Sequence, residues 1–174
     1  MNPLSGFRSG GADEDQYDGW DEFVPGNVPE PGPFLQEYRV LEDGDHVAVH
    51  ERARELFEKR GVYDATFGYN LAKLNLDRRH PEAGFRYAIE DGDGTVLRAE
   101  FTPTTEFCPQ ADALLKGAFR AWNGCSDAHE YELVRVRVRP THHQTTAINE
   151  TLADAERVFH ETGSVEIGAD RVQE

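Results

Sequence analysis

Residues 85–101, "FRYAIEDGDGTVLRAEF", decide the fold of this chain. Two runs of alternating apolar and polar residues flank Asp91-Gly92-Asp93-Gly94. Alternation with a period of two puts one side of each run on a core, and an Asp-Gly pair supplies the tight reversal that joins two antiparallel strands. The stretch therefore predicts a β-hairpin. The same "DGDG" lacks the remainder of a twelve-residue calcium loop, so a turn is the better reading.

Elements with helical period lie on either side of the hairpin. After it, Pro109 suits the first position of a helix, and Ala111, Leu114, Leu115, Ala118 and Trp122 fall on one stripe. "YELVRVRVR" (131–139) alternates as a strand, with Val134, Val136 and Val138 on one face and Arg135, Arg137 and Arg139 on the other. That arginine row is either a solvated face or a means of holding carboxylates, of a partner or of this acidic chain itself. "THHQTTAINETLADAERVFHETG" (141–163) predicts the last helix, with Ile148, Leu152, Ala155 and Phe159 as its stripe, Gly163 as its stop, and Thr141 and Gln144 at capping-box spacing. Before the hairpin, "EDGDHVAVHERARELFEKRG" (42–61) predicts a helix capped by Asp45, striped by Val49, Ala53, Leu56 and Phe57, and closed by Gly61. "NLAKLNL" (70–76) fits a short strand or a turn of helix. The order helix, hairpin, helix, strand, helix predicts a small single-domain α+β fold, a mixed sheet with three helices packed mainly on one face.

Residues 1–36 read as an acidic Gly/Pro-rich arm, residues 37–165 as the domain and residues 166–174 as a tail. The prolines of "VPGNVPEPGPF" (24–34) exclude a helix or a central strand. Trp20, Phe23 and Phe34 are either docking points for the arm or scattered aromatics.

The chain has 174 residues and a formal net charge of −15, with only three lysines (Lys59, Lys73, Lys116) against fifteen arginines. An acidic, lysine-poor surface stays hydrated and dispersed where salt screens its self-repulsion, which points to a halophilic, cytoplasmic setting. It also argues against nucleic acid or an anionic membrane as partner, since both need clustered cations. No apolar stretch approaches the ~20 residues that span a bilayer.

The two cysteines, Cys108 and Cys125, flank the predicted helix of residues 109–123. They would sit at the ends of a rod roughly 22 Å long, too far for a disulfide, so both are expected as free thiols in a reducing compartment. Cys108 is expected at the helix N-cap, where the dipole and unpaired N–H groups favour thiolate, with Glu106 and Asp112 opposing them. A lone cysteine is more often a small buried hydrophobe. Cys125 lacks such electrostatic help and reads as structural or incidental. His142 and His143 open the last helix, where the dipole keeps imidazole neutral and able to ligate a metal or accept a proton; adjacent histidines diverge on a helix, so one at most faces a site shared with Cys108. Two solvent-facing or capping residues are the alternative. One Cys and one His do not complete a four-ligand zinc site within the chain.

"FTPTTEFCPQADALL" (101–115) and "THHQTTAINETLADAERV" (141–158) resemble segments of the iron–sulfur assembly domain found in bacterial maturation proteins of the SufT and PaaD kind and in the eukaryotic cytosolic iron–sulfur targeting component. Cys108, Thr141, His142, Asn149, Leu152, Asp154, Glu156 and Arg157 are the matching positions. The family's Asp-Pro-Glu after the first helix is missing, with "GVYDATFGYN" (61–70) in its place, and Gly117 falls two residues later after the cysteine than in eukaryotic members. The resemblance implies a non-enzymatic factor that delivers clusters to recipient apoproteins alongside other assembly proteins. Cys108 with His142 or His143 would then offer ligands to a transient iron–sulfur cluster shared with a partner or, as a homodimer, with a second copy. A thiol enzyme using His142 as base for Cys108, and a non-catalytic interaction domain with an inert cysteine, are the competing expectations.

Overall fold

A computed structural model describes residues 17–64, 68–90, 94–104, 111–140 and 145–165. The hairpin is present: β4 (Gly84–Ile89) pairs antiparallel with β5 (Val96–Thr102), Phe85 opposite Phe101 and Tyr87 opposite Ala99. A two-residue strand, β1 (Arg39–Val40), extends it antiparallel to β4, and β6 (Leu133–Val138) adds parallel to β5. The order β1-β4-β5-β6 makes a mixed four-stranded sheet. β2 (Tyr63–Asp64) and β3 (Tyr69–Asn70) form a separate small ladder. The stretch 70–76, left open between strand and helix by the sequence, is a 3-10 helix over Leu71–Leu76.

Among the described residues, three α-helices accompany the sheet in an α+β domain: α1 (Asp43–Arg60), α2 (Ala111–Asn123) and α3 (Thr145–Thr162). The expected cap of α1 is corrected. Glu42 occupies the N-cap without a side-chain hydrogen bond, and Asp45 sits inside the first turn beside Asp43, where both carboxylates face the positive end of the dipole. Gly61 closes the helix in the left-handed conformation, φ 71°, which a side chain rarely adopts. The α2 stripe is fully buried, as are Ile148, Leu152 and Ala155 of α3. They meet Phe85, Tyr87, Leu97, Ala99, Phe101 and the three valines of β6 in one core.

The opposite sheet face is polar and is roofed by the segment before β1. Glu100, only 1 % exposed, accepts the Gly32 N–H at 2.6 Å and the Phe34 N–H at 3.4 Å. Arg86 donates to the Pro29 carbonyl and Arg98 to that of Phe34, each at 3.0 Å, and Arg98 lies over the rings of Phe34 and Tyr38. Leu35 is fully buried. Further back, Tyr17 bridges to Asp77, and Asp18 pairs with Arg78 at 2.8 Å. Of the two expectations for Trp20, Phe23 and Phe34, docking is what the described residues show: all three are half-buried against the domain.

The arginine row is not a free, solvated face. Arg135 bonds Glu90 at 2.9 Å and Glu156 at 2.8 Å, Arg137 also pairs with Glu156, and Arg139 donates to the Glu30 carbonyl at 3.1 Å. An acidic chain thus neutralises its own arginines, the second of the two uses expected for them.

Candidate functional site

Parallel pairing of β5 and β6 builds the candidate site. Phe101 stands opposite Val138, and the Arg139 N–H donates to the Phe101 carbonyl at 2.8 Å, so the two strands run side by side to their last residues. Each then leads into a helix, β5 into α2 and β6 into α3. Two strand-to-helix connections therefore leave one edge of the sheet together, and two helix N-termini return to that edge with their positive dipole ends. Cys108 belongs to the first connection; His142 and His143 belong to the second.

Those three residues, with Thr141, Gln144, Pro109 and Glu106, lie outside the described residues. Around them, Pro103 is buried, and the Thr102 hydroxyl is a buried oxygen without a partner among the described residues. Asp112, expected to oppose a thiolate, is paired with Lys116 at 3.0 Å, so part of its charge is offset within α2. A cleft of about 300 Å³ opens beside Pro140, between Phe34, Glu100, Val138 and Asn149. Burial raises the Glu100 carboxyl above the ordinary carboxylate range, while the two backbone N–H groups that it accepts, and Arg139, oppose that rise.

Cys125 is a free, half-buried thiol just past α2, packed against the core and beside Arg60 and Gly124. No group of three or more metal-ligating side chains occurs among the described residues, nor is any helix there long and apolar enough to cross a membrane.

The matched residues of α3 have architectural roles. Asn149 donates to the Val138 carbonyl at 3.0 Å and accepts its N–H at 2.9 Å, mimicking a strand partner on the outer edge of β6. Glu156 holds Arg135 and Arg137, Leu152 is fully buried, and Asp154 pairs with Arg157 on the surface at 3.1 Å. Sequence reasoning missed two further asparagines of this kind: Asn123 on Val134, and Asn75 on Phe85. It also missed His46 and His50, although their spacing continues the stripe of Val49 and Ala53 and signals burial.

No curated protein and no solved structure matches the chain. Residues 15–166 match the model of DUF7998, a domain of unknown function, and the chain belongs to that family.

Proposed function

We propose that this protein is an iron–sulfur cluster maturation factor, a non-enzymatic adaptor that passes clusters to recipient apoproteins through Cys108, with His142 as a neighbouring ligand or positioning group. The observation that carries the reading is the common edge: the connections containing these residues depart from adjacent parallel strands. Covalent geometry narrows the distance further. Cys108 is three residues from Ala111 and His142 three from Thr145, so neither Cα lies more than about 11 Å from the start of a helix whose dipole favours thiolate and neutral imidazole.

The cluster is cargo. It needs about four ligands, so one thiolate and one imidazole hold it only while a client, another assembly protein or a second copy supplies the rest. Such incompleteness suits transfer, since a full ligand set would retain the cluster.

Anaerobic reconstitution with iron and sulfide, or mixing with a cluster-loaded carrier, tests this. The wild-type chain is expected to gain a labile thiolate-to-iron absorption that is lost in Cys108→Ala, kept in Cys125→Ala and weakened in His142→Ala. An unchanged spectrum in Cys108→Ala, or none in the wild type with either source, would overturn the reading.

A further inference from the structure

Residues 17–27 cross the domain over a column of four rings. Trp20 stacks on His50 with centroids 5.3 Å apart, His50 on His46 at 5.7 Å, and Phe23 packs on His46 at 4.9 Å. Both imidazoles are 2 % exposed. Buried side-chain nitrogens and oxygens without a partner concentrate at this spot: His46 Nδ1, both ring nitrogens of His50, Arg86 Nε and the Tyr87 hydroxyl, with only Thr102 and Trp122 besides among the described residues.

We propose that His46 and His50 form an acid-sensitive latch, which as neutral rings holds the 17–27 segment on the domain through Trp20 and Phe23 and on protonation releases it. An imidazolium has two N–H donors and needs two acceptors, and His50 has none on either nitrogen among the described residues. The facing charges are adverse. From α1, Arg54 lies over Trp20, its guanidinium 4.4 Å from the ring centre; from β4, Arg86 stands 5.1 Å from the Phe23 ring and Tyr87 packs on His46. Glu42, at the start of α1, is exposed and engaged with Arg86 at 3.5 Å. On the segment itself, Asp18 is committed to Arg78 and Asn27, and Glu22 folds back on the Gly19 N–H. Two imidazoles beside two guanidiniums also make a poor cation site, so a proton is the ligand to which this cluster responds.

Burial first, and Arg86 second, lower the His46 pKa to about 4; burial, then His46 and Arg54, lower that of His50 to about 3. Release returns both rings to water and removes the burial that depresses them, so their pKa values rise toward the ordinary value of about 6.5, held below it by Arg54 and Arg86, and the released state binds more protons. Docking is at full strength above that value and weakens as pH falls toward the docked values. The opening constant rises by up to about tenfold per pH unit for each histidine in that window.

The chain has two tryptophans, Trp20 in the latch and Trp122 fully buried in the core, so 5-fluorotryptophan labelling of the full chain reports both regions at once. On acidification in molar potassium chloride, the Trp20 fluorine resonance is expected to move to a solvent-exposed shift before that of Trp122 changes. In His46→Phe/His50→Phe, which keeps the ring stack without a proton acceptor, that movement should vanish. Movement of both resonances together, or equal movement in the double variant, would overturn the latch. Should that variant lose its far-UV dichroism, the wild-type histidine proton resonances decide: those of His46 and His50 must titrate with the Trp20 midpoint, and a mismatch overturns the proposal.

Discussion

Glu100 shows what a single residue does on the polar face of the sheet. It is the acceptor for two backbone N–H groups of the segment crossing over it, and the fit is tight: a Cβ on Gly32 would come within 2.5 Å of its carboxylate. Burial disfavours the charge, but both carboxylate oxygens accept, and a glutamine amide would set its NH2 against one of the two N–H donors. Glu100→Gln is therefore expected to lose about 1–2 kcal/mol in urea unfolding, less than the roughly 2–3 kcal/mol of Glu100→Ala, which leaves both donors unpaired. The sign of the pH response follows from its raised pKa. Glu100 holds its proton more tightly in the folded state, so its contribution grows as pH falls through that raised value, opposite to the histidine pair. Acid therefore loosens the 17–27 segment without loosening the 28–38 segment through this group.

At the scale of elements, β6 ends the sheet, and β4 is left uncovered at Phe85 by the two-residue β1; such free edges would otherwise invite pairing with another chain. Asparagine side chains close them. Asn123 and Asn149 each exchange two hydrogen bonds with β6, at Val134 and Val138, and Asn75 does the same for β4 at Phe85. An aspartate at these positions could accept but not donate, which leaves the strand carbonyl facing a carboxylate. Asn149→Asp is expected to destabilise by about 1–3 kcal/mol and to speed amide exchange at Val138, with little change at Val134; uniform exchange along β6 would contradict a local clasp. Asn149 also stands about one helical turn from the second connection of the candidate site, since α3 begins at Thr145. Its clasp fixes where the helix N-terminus returns to the sheet, so under the proposed function the substitution should also weaken the thiolate-to-iron absorption through positioning.

For the whole molecule, the extended N-terminal segment turns a sheet with one apolar and one charged face into a two-sided core. Helices cover the first face and residues 28–38 the second, through Glu100, Arg86 and Arg98. Many of the ion pairs are internal, as with Glu156 and Glu90, yet the net charge of −15 remains on the rest of the surface. Self-repulsion of that size acts over about a Debye length and is screened beyond it, and that length shortens from about 10 Å at 0.1 M salt to about 3 Å at 1 M. The melting temperature is therefore expected to rise with potassium chloride over this range, by scanning calorimetry; a flat or falling trend would contradict a surface adapted to salt.

The hairpin, the stripes of the three helices and the alternation of β6 were legible because period two and period 3.6 are local properties of a chain; the helix-stripe positions so identified are buried, except Phe159, which packs half-buried against the core. Free thiol character at Cys125 followed from the same local geometry. The partners of Arg135 and Arg137 were not legible, since Glu90 and Glu156 lie tens of residues away and only folding selects which of many carboxylates comes near. Likewise, nothing in "WDEF" says that Trp20 and Phe23 will cap two histidines of α1. Sequence by itself determined the elements and their buried faces, because those depend on neighbours along the chain. Tertiary structure alone decided that β5 and β6 run parallel, and hence that the connections containing Cys108 and His142 share an edge, because strand pairing is settled by long-range packing and hydrogen bonding.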